Sequence, residues 1–400
     1  MVLACVLCMQ VSAYDRTLRV DYIFSGTATT SSVSLSRMSV TDGWFGRTAN
    51  MDKVPVQGNG EIRMKDCESG RTLYAQSFST LFQEWQATPE AGRMAKSFEN
   101  TFLLPMPSAK ATVDVKLFNM HGDVVCEYSH VVDPDDILIR KKAASEVETR
   151  YISKGGDPED CIDVVILAEG YTKDEMDTFY ADAQIAVDAL FSHEPFGSMR
   201  NKFNYLAVAC PSEDSGVSVP REGQWKNTAV GSHFDTFYTE RYLTTLNVFQ
   251  LHDILDGLPY EHIIILANTE TYGGGGIYNS YTLTTAHHKS FRPVVVHEFG
   301  HSFGALADEY AYEGDETVYY YADVEPWEKN ITTKVDFASK WQDMIAAEVP
   351  GVGLFEGAGY QVKGVWRPVD DCRMRTNTAP SFCPVCQRAI RDIITFYLGE

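Results

Sequence analysis

The chain has no apolar run of the ~18 residues that a membrane-spanning helix needs, so no part of it reads as a transmembrane segment. Basic residues are outnumbered: 34 Lys and Arg against 55 Asp and Glu leave a formal net charge of −21. Nucleic-acid partners call for clustered Lys and Arg to neutralise phosphates, and no such cluster stands out. The excess of acid suits a soluble, self-repelling exported protein and says little about a substrate. There is no internal repeat and no low-complexity tract, which excludes solenoids and disordered tails. The glycine run at 273–276 lacks the Gly-x-x-x-x-Gly-Lys-Ser/Thr pattern of a phosphate loop. What remains is ample material for packed cores, with 44% hydrophobic and 12% aromatic residues in 400, a length suited to roughly two or three domains.

Histidine is also scarce, at 10 residues, yet two of them fall in His297-Glu298-Phe299-Gly300-His301, directly after the apolar Pro293-Val294-Val295-Val296. Imidazoles four residues apart lie one turn along the same helix face and reach one metal ion. Zinc is the ion this pattern suits, and the intervening Glu298 stands where it takes a proton from a metal-activated water. A catalytic zinc site needs a third protein ligand and an open position. A helix continuing straight would carry Asp308 about 10 Å past His301, too far to share the ion. Gly304 stands where a helix would end in a left-handed turn, and such a turn would fold Asp308 back to the metal. Glu309 is the alternative carboxylate.

Two regions differ in pattern. From Thr17 to about Val132 the chain alternates as short strands, among them Leu18 to Phe24, Ser32 to Ser36 and Ala111 to Leu117. Turn signals such as Gly58-Asn59-Gly60 and His121-Gly122-Asp123 separate them. This predicts an all-β sandwich over 14–135, with no catalytic constellation in it. The charged stretch around Asp133-Pro134-Asp135-Asp136 and Arg140-Lys141-Lys142 marks a linker over 136–155. Beyond it, three buried-strand patterns (Cys161 to Tyr171, Phe203 to Cys210, His262 to Asn268) alternate with helical ones, such as that opened by Thr172-Lys173-Asp174-Glu175. That predicts an α/β layer with a partly parallel sheet over 156–400. At the N-terminus the apolar Met1 to Met9 precedes Val11-Ser12-Ala13, the small-residue spacing of a signal peptidase site. Residues 1–13 therefore read as a truncated signal peptide, with lipidation at Cys5 the alternative.

The longer string His297 to Tyr310 (HEFGHSFGALADEY) resembles the IgA peptidase family of bacterial zinc metallopeptidases, within the metzincin clan. The resemblance spans roughly 155–400 and is strongest at 268–310 and 372–386. It implies a secreted, periplasmic or surface-held bacterial endopeptidase with a metzincin-like catalytic domain. One zinc ion would be held by His297, His301 and Asp308, with Glu298 as general base and a protein or peptide as substrate. The usual third ligand of the clan lies six residues after the second His, which here is Ala307; this chain departs from that spacing by one. By the same resemblance Met374 in Cys372-Arg373-Met374-Arg375 forms an apolar floor under the metal.

Other residues carry weaker signals. Gly274, Gly275 and Gly276 are expected as a flexible substrate-binding rim that lets a backbone approach closely. Cys372, Cys383 and Cys386 read as a disulfide with one thiol over, rather than as a metal site, because no fourth ligand is near in sequence. His287 and His288 read as solvated or structural. An oxyanion donor among 21 Tyr is not assignable. Two other functions compete: a thermolysin-like zinc peptidase with a later Glu ligand, and a surface-binding protein with a degenerate metal site. Substrate identity and oligomeric state are not legible; the immunoglobulin A of the family's name does not transfer with a fold.

Overall fold

The computed structural model describes residues 14–314 and 317–400; the expected signal peptide lies outside them. The first part is a pair of four-stranded sheets with one short helix. Its elements are β1 (Arg16–Thr27), β2 (Thr30–Asp42), β3 (Gly60–Asp66), β4 (Thr72–Phe78), α1 (Leu81–Gln86), β5 (Lys96–Pro105), β6 (Ala111–Phe118), β7 (Val124–Val132) and β8 (Arg140–Lys141). The sheets run in the orders β5-β1-β2-β8 and β4-β3-β6-β7. Alternation does the sorting: Leu18, Val20, Tyr22 and Phe24 of β1 are all fully buried and meet Phe78, Val113, Val115 and Leu117 of the facing sheet in one core. Phe24 and Phe78 pack at 6.1 Å between ring centroids. The opposite face of β1 is buried too. There Arg19, paired with Asp21, reaches the second part of the chain.

The second part is built on a six-stranded sheet of β9 (Glu148–Lys154), β10 (Ile162–Glu169), β11 (Phe203–Ala209), β12 (His262–Ala267), β13 (Gly274–Ile277) and β14 (Tyr281–Thr285). Its order is β13-β14-β12-β10-β11-β9; the four inner strands are parallel and the two edges antiparallel. The stretch expected as a linker is thus divided between the two parts: β8 pairs with β2, and β9 with β11. Helices α2 (Met176–Phe191), α3 (Val248–Ile254), α4 (Phe291–Ser302), α5 (Gln342–Ala346) and α6 (Pro384–Leu398) follow in chain order. The expected start of α2 is present, with the Thr172 N–H donating to Glu175 Oε2 at 2.8 Å. Val164, Ile166 and Ala168 face one core with residues of α2, α4 and α6, while Val165 and Leu167 join the core shared with the sandwich. The result is a mixed α/β molecule with a distinct N-terminal β unit. Among the described residues no helix is long and apolar enough to cross a membrane.

Candidate metal centre

Helix α4 is held by Phe291, Val294, Val295, Val296 and Phe299, all buried, while His297 and His301 leave the opposite face toward a cleft of about 690 Å³. The helix does end where the sequence suggests, but the turn differs from expectation. Gly304 does not take a positive φ; Ala305 does, at +52°. Gly304 is needed for room instead, since a Cβ there would lie 2.6 Å from the Gly300 carbonyl oxygen. The turn is closed by the Ala305 N–H to His301 O (3.1 Å) and the Leu306 N–H to Gly300 O (3.1 Å). Asn330 then clamps Ala307 on both sides, accepting from its N–H and donating to its C=O, each at 2.8 Å.

This reversal carries Asp308 back over the helix. Its Oδ1 lies 3.0 Å from His297 Nε2 and 3.3 Å from His301 Nε2, and the two Nε2 atoms are 3.0 Å apart. Each ring is oriented from behind: His297 Nδ1–H donates to Arg373 O at 2.9 Å and His301 Nδ1–H to Leu306 O at 2.6 Å. In the neutral rings, then, both Nε2 atoms present lone pairs. Among the described residues Asp308 Oδ1 is buried without a hydrogen-bond partner. Three electron-pair donors facing one another this closely repel unless a cation, whether a proton or a metal ion, lies among them. Their separations suit the edges of a tetrahedron about a zinc ion, roughly 3.3 Å for bonds near 2.0 Å. Electrostatics agree. Burial disfavours a charged His301, yet the Asp308 carboxylate outweighs it and raises that pKa to about 9. Burial likewise opposes ionisation of Asp308, but the two imidazoles hold it well below the usual carboxylate range. The cluster attracts positive charge, as a proton or as a metal ion.

Glu298 sits beside the donors, and burial pushes its carboxyl up while the flanking histidines pull it down less strongly. Met374 lies beneath the helix, fully buried; a Cβ on Gly300 would meet its Sδ at 2.7 Å. Glu309 takes no part in this cluster. It turns the other way, toward Cys372, Cys383 and Cys386, which with the other described cysteines are free thiols rather than the expected disulfide. His287 pairs with Asp182 at 2.7 Å, and His288 Nδ1 accepts from the Ser290 N–H; neither lines the cleft.

The glycine run is not a loop. Gly274, Gly275 and Gly276 form β13, an edge strand laid along α4. Their missing side chains make that approach possible: a Cβ on Gly274 would be 2.7 Å from Glu298 Oε1, and one on Gly276 2.3 Å from the Glu298 carbonyl oxygen. Several cleft residues carry no sequence signal. Tyr360 donates to Asp308 Oδ2. Tyr310 stacks beside His297 (17° between planes, 6.4 Å), and Arg241 reaches its hydroxyl at 3.4 Å. The N-terminal unit, whose sequence shows no catalytic constellation, lines the cleft with Asn59, Ser79 and Glu84. Burial raises the Glu84 carboxyl to about 7, and Tyr242 donates to it from across the cleft.

Family comparison accounts for both parts. Residues 151–351 and 347–394 match the model described as IgA Peptidase M64, and residues 10–129 match that for the Peptidase M64 N-terminus. A search of curated proteins finds no match.

Proposed function

The chain belongs to the IgA peptidase M64 family, and from that membership and the geometry of the cleft we propose that it is an exported zinc endopeptidase with a metzincin-like catalytic unit. The observation that carries this reading is the convergence of His297 Nε2, His301 Nε2 and Asp308 Oδ1 on one point at the floor of an open cleft. These three residues would hold the ion. Asp308 in that position supports this ligand set over one completed by a Glu from a later helix. Zinc, when bound, polarises the scissile carbonyl and lowers the pKa of a water.

Glu298 takes the proton from that attacking water and passes it to the leaving nitrogen. Tyr310 and Arg241, on the cleft side of His297, are placed to donate to the oxygen on which charge develops. Strand β13 supplies the docking edge. Gly274 uses its outward N–H and C=O on Arg241 and Leu243. By the alternation of an antiparallel ladder, Gly276 turns its own toward the cleft, where an extended peptide can pair with them. Met374 packs under the helix and keeps its histidines at their spacing.

The test is a fluorescent casein assay on the full chain, with chelator and zinc add-back. Wild type should cleave, stop on chelation and recover with zinc. Glu298→Ala should keep its zinc and lose about 10²- to 10⁴-fold in turnover, whereas His301→Ala should also lose the ion at this site. Near-normal turnover by Glu298→Ala would remove Glu298 from the mechanism.

A further inference from the structure

A second group of ligand-bearing side chains lies on the far side of the segment that delivers Asp308. The donor atoms of Glu309, Cys372, Cys383 and Cys386 all fall within 4.8 Å of one another, and all four residues are buried. They come from three places in the chain. Glu309 follows Asp308, Cys372 precedes Met374, and Cys383 caps α6, whose first turn holds Cys386. Cys372 Sγ and Cys386 Sγ are 3.8 Å apart, and Cys386 Sγ is 3.1 Å from Glu309 Oε1. Backbone N–H groups already point at sulfur: that of Cys383 at Cys372 Sγ (3.2 Å) and that of Cys386 at Cys383 Sγ (3.4 Å). Asn330 Nδ2 donates to Glu309 Oε1 at 3.0 Å, while Glu309 Oε2 is buried with no hydrogen-bond partner among the described residues.

We propose that Cys372, Cys383, Cys386 and Glu309 hold a structural zinc ion, separate from the catalytic one. Tetrahedral zinc with thiolate bonds near 2.3 Å places neighbouring sulfurs about 3.8 Å apart, the spacing of Cys372 and Cys386. N–H donors aimed at sulfur stabilise thiolates, and a carboxylate with an orphaned oxygen completes a four-ligand set with no open position. On binding, the three thiols release their protons to solvent. The excess negative charge is offset by Arg367 beside Glu309 and Arg373 beside Cys372. A disulfide between Cys372 and Cys386 fits less well, since it would leave a buried carboxylate against an apolar sulfur pair.

The place of the site gives it a purpose. Glu309 N–H donates to Met374 O at 2.8 Å, and Arg373 O accepts from His297 Nδ1. An ion joining Glu309 to Cys372 therefore clamps the two segments that deliver Asp308 and orient His297. The inference stands apart from the peptidase reading, because the two sites share no side chain.

The experiment uses the reduced full chain, stripped of metal and reloaded with Zn²⁺ or Co²⁺ alone. Zinc-loaded wild type should hold about two ions per chain, and the His297→Ala/His301→Ala variant about one. With cobalt, both proteins should show thiolate-to-metal charge-transfer absorption in the near ultraviolet, lost in Cys383→Ser/Cys386→Ser. Absence of that band from cobalt-loaded wild type overturns the proposal. So does a disulfide among the three cysteines, mapped by mass spectrometry in the metal-loaded protein. Both decisive measurements are made on wild type, so they hold even where a cysteine variant fails to fold.

Discussion

Asp308 and Glu309 are adjacent, both buried, and point to opposite sides of one segment. The segment is held from two directions, the Asp308 C=O accepting from the Gly359 N–H at 2.9 Å and the Glu309 N–H donating to Met374 O at 2.8 Å. Asp308 is then fixed by Tyr360, whose hydroxyl donates to Oδ2 and leaves Oδ1 facing the histidines. Such an outer hydrogen bond tunes a ligand's orientation and basicity. Tyr360→Phe is expected to weaken zinc binding about 10- to 100-fold, measured by competition with a chromophoric chelator. An unchanged affinity would show that Asp308 is oriented by its backbone alone.

At the scale of elements, the site depends on how closely β13 approaches α4. A Cβ on Gly276 would come within 2.3 Å of the Glu298 carbonyl oxygen and 2.9 Å of His301 Cβ. Neither atom belongs to a flexible side-chain end, so strand or helix must shift. Gly276→Ala should cost about 1–3 kcal/mol, as overpacking does, seen as a lower denaturant midpoint with zinc removed. A midpoint equal to wild type would mean that the strand moves aside freely. Gly304, expected to make a left-handed turn, instead supplies space against Gly300.

Across the whole molecule, the β unit is joined to α3 and the turn after it by a charged seam. Arg19 reaches Asp253 at 2.7 Å and Asp256 at 3.2 Å; Arg37 reaches Asp21 and Asp253; Lys142 reaches Asp253 at 2.6 Å. Burial opposes ionisation of Asp253, but Lys142 and Arg19 outweigh it and take its pKa from the ordinary 3.8 to about 2. A depressed carboxylate pKa gives stability that is full above the unfolded value and lost as pH falls through the folded one. Wild type should therefore melt above Asp253→Asn at about pH 6, and the gap should close between about pH 4 and pH 2. A gap that stays constant down to about pH 2 would exclude Asp253 from the seam's energetics.

What the sequence determined by itself was local or periodic. The helix face carrying His297, Glu298 and His301 follows from a four-residue spacing. The strands of β1 and β6 follow from alternation, and the inner strands β10, β11 and β12 from short apolar runs. Asp308 was within reach because only one turn separates it from the helix. Tertiary structure decided the rest. The glycine run has no side chains and so no periodicity, and only the neighbouring helix reveals why Cβ atoms are excluded there. Tyr360 meets Asp308 across 52 residues, and Glu309 meets Cys386 across 77. No spacing rule spans such distances; the parallel sheet and the turn after α4 bring those residues together. That is why three cysteines lacking a fourth ligand in sequence read as a disulfide, and why the fourth ligand appears only once the chain has folded.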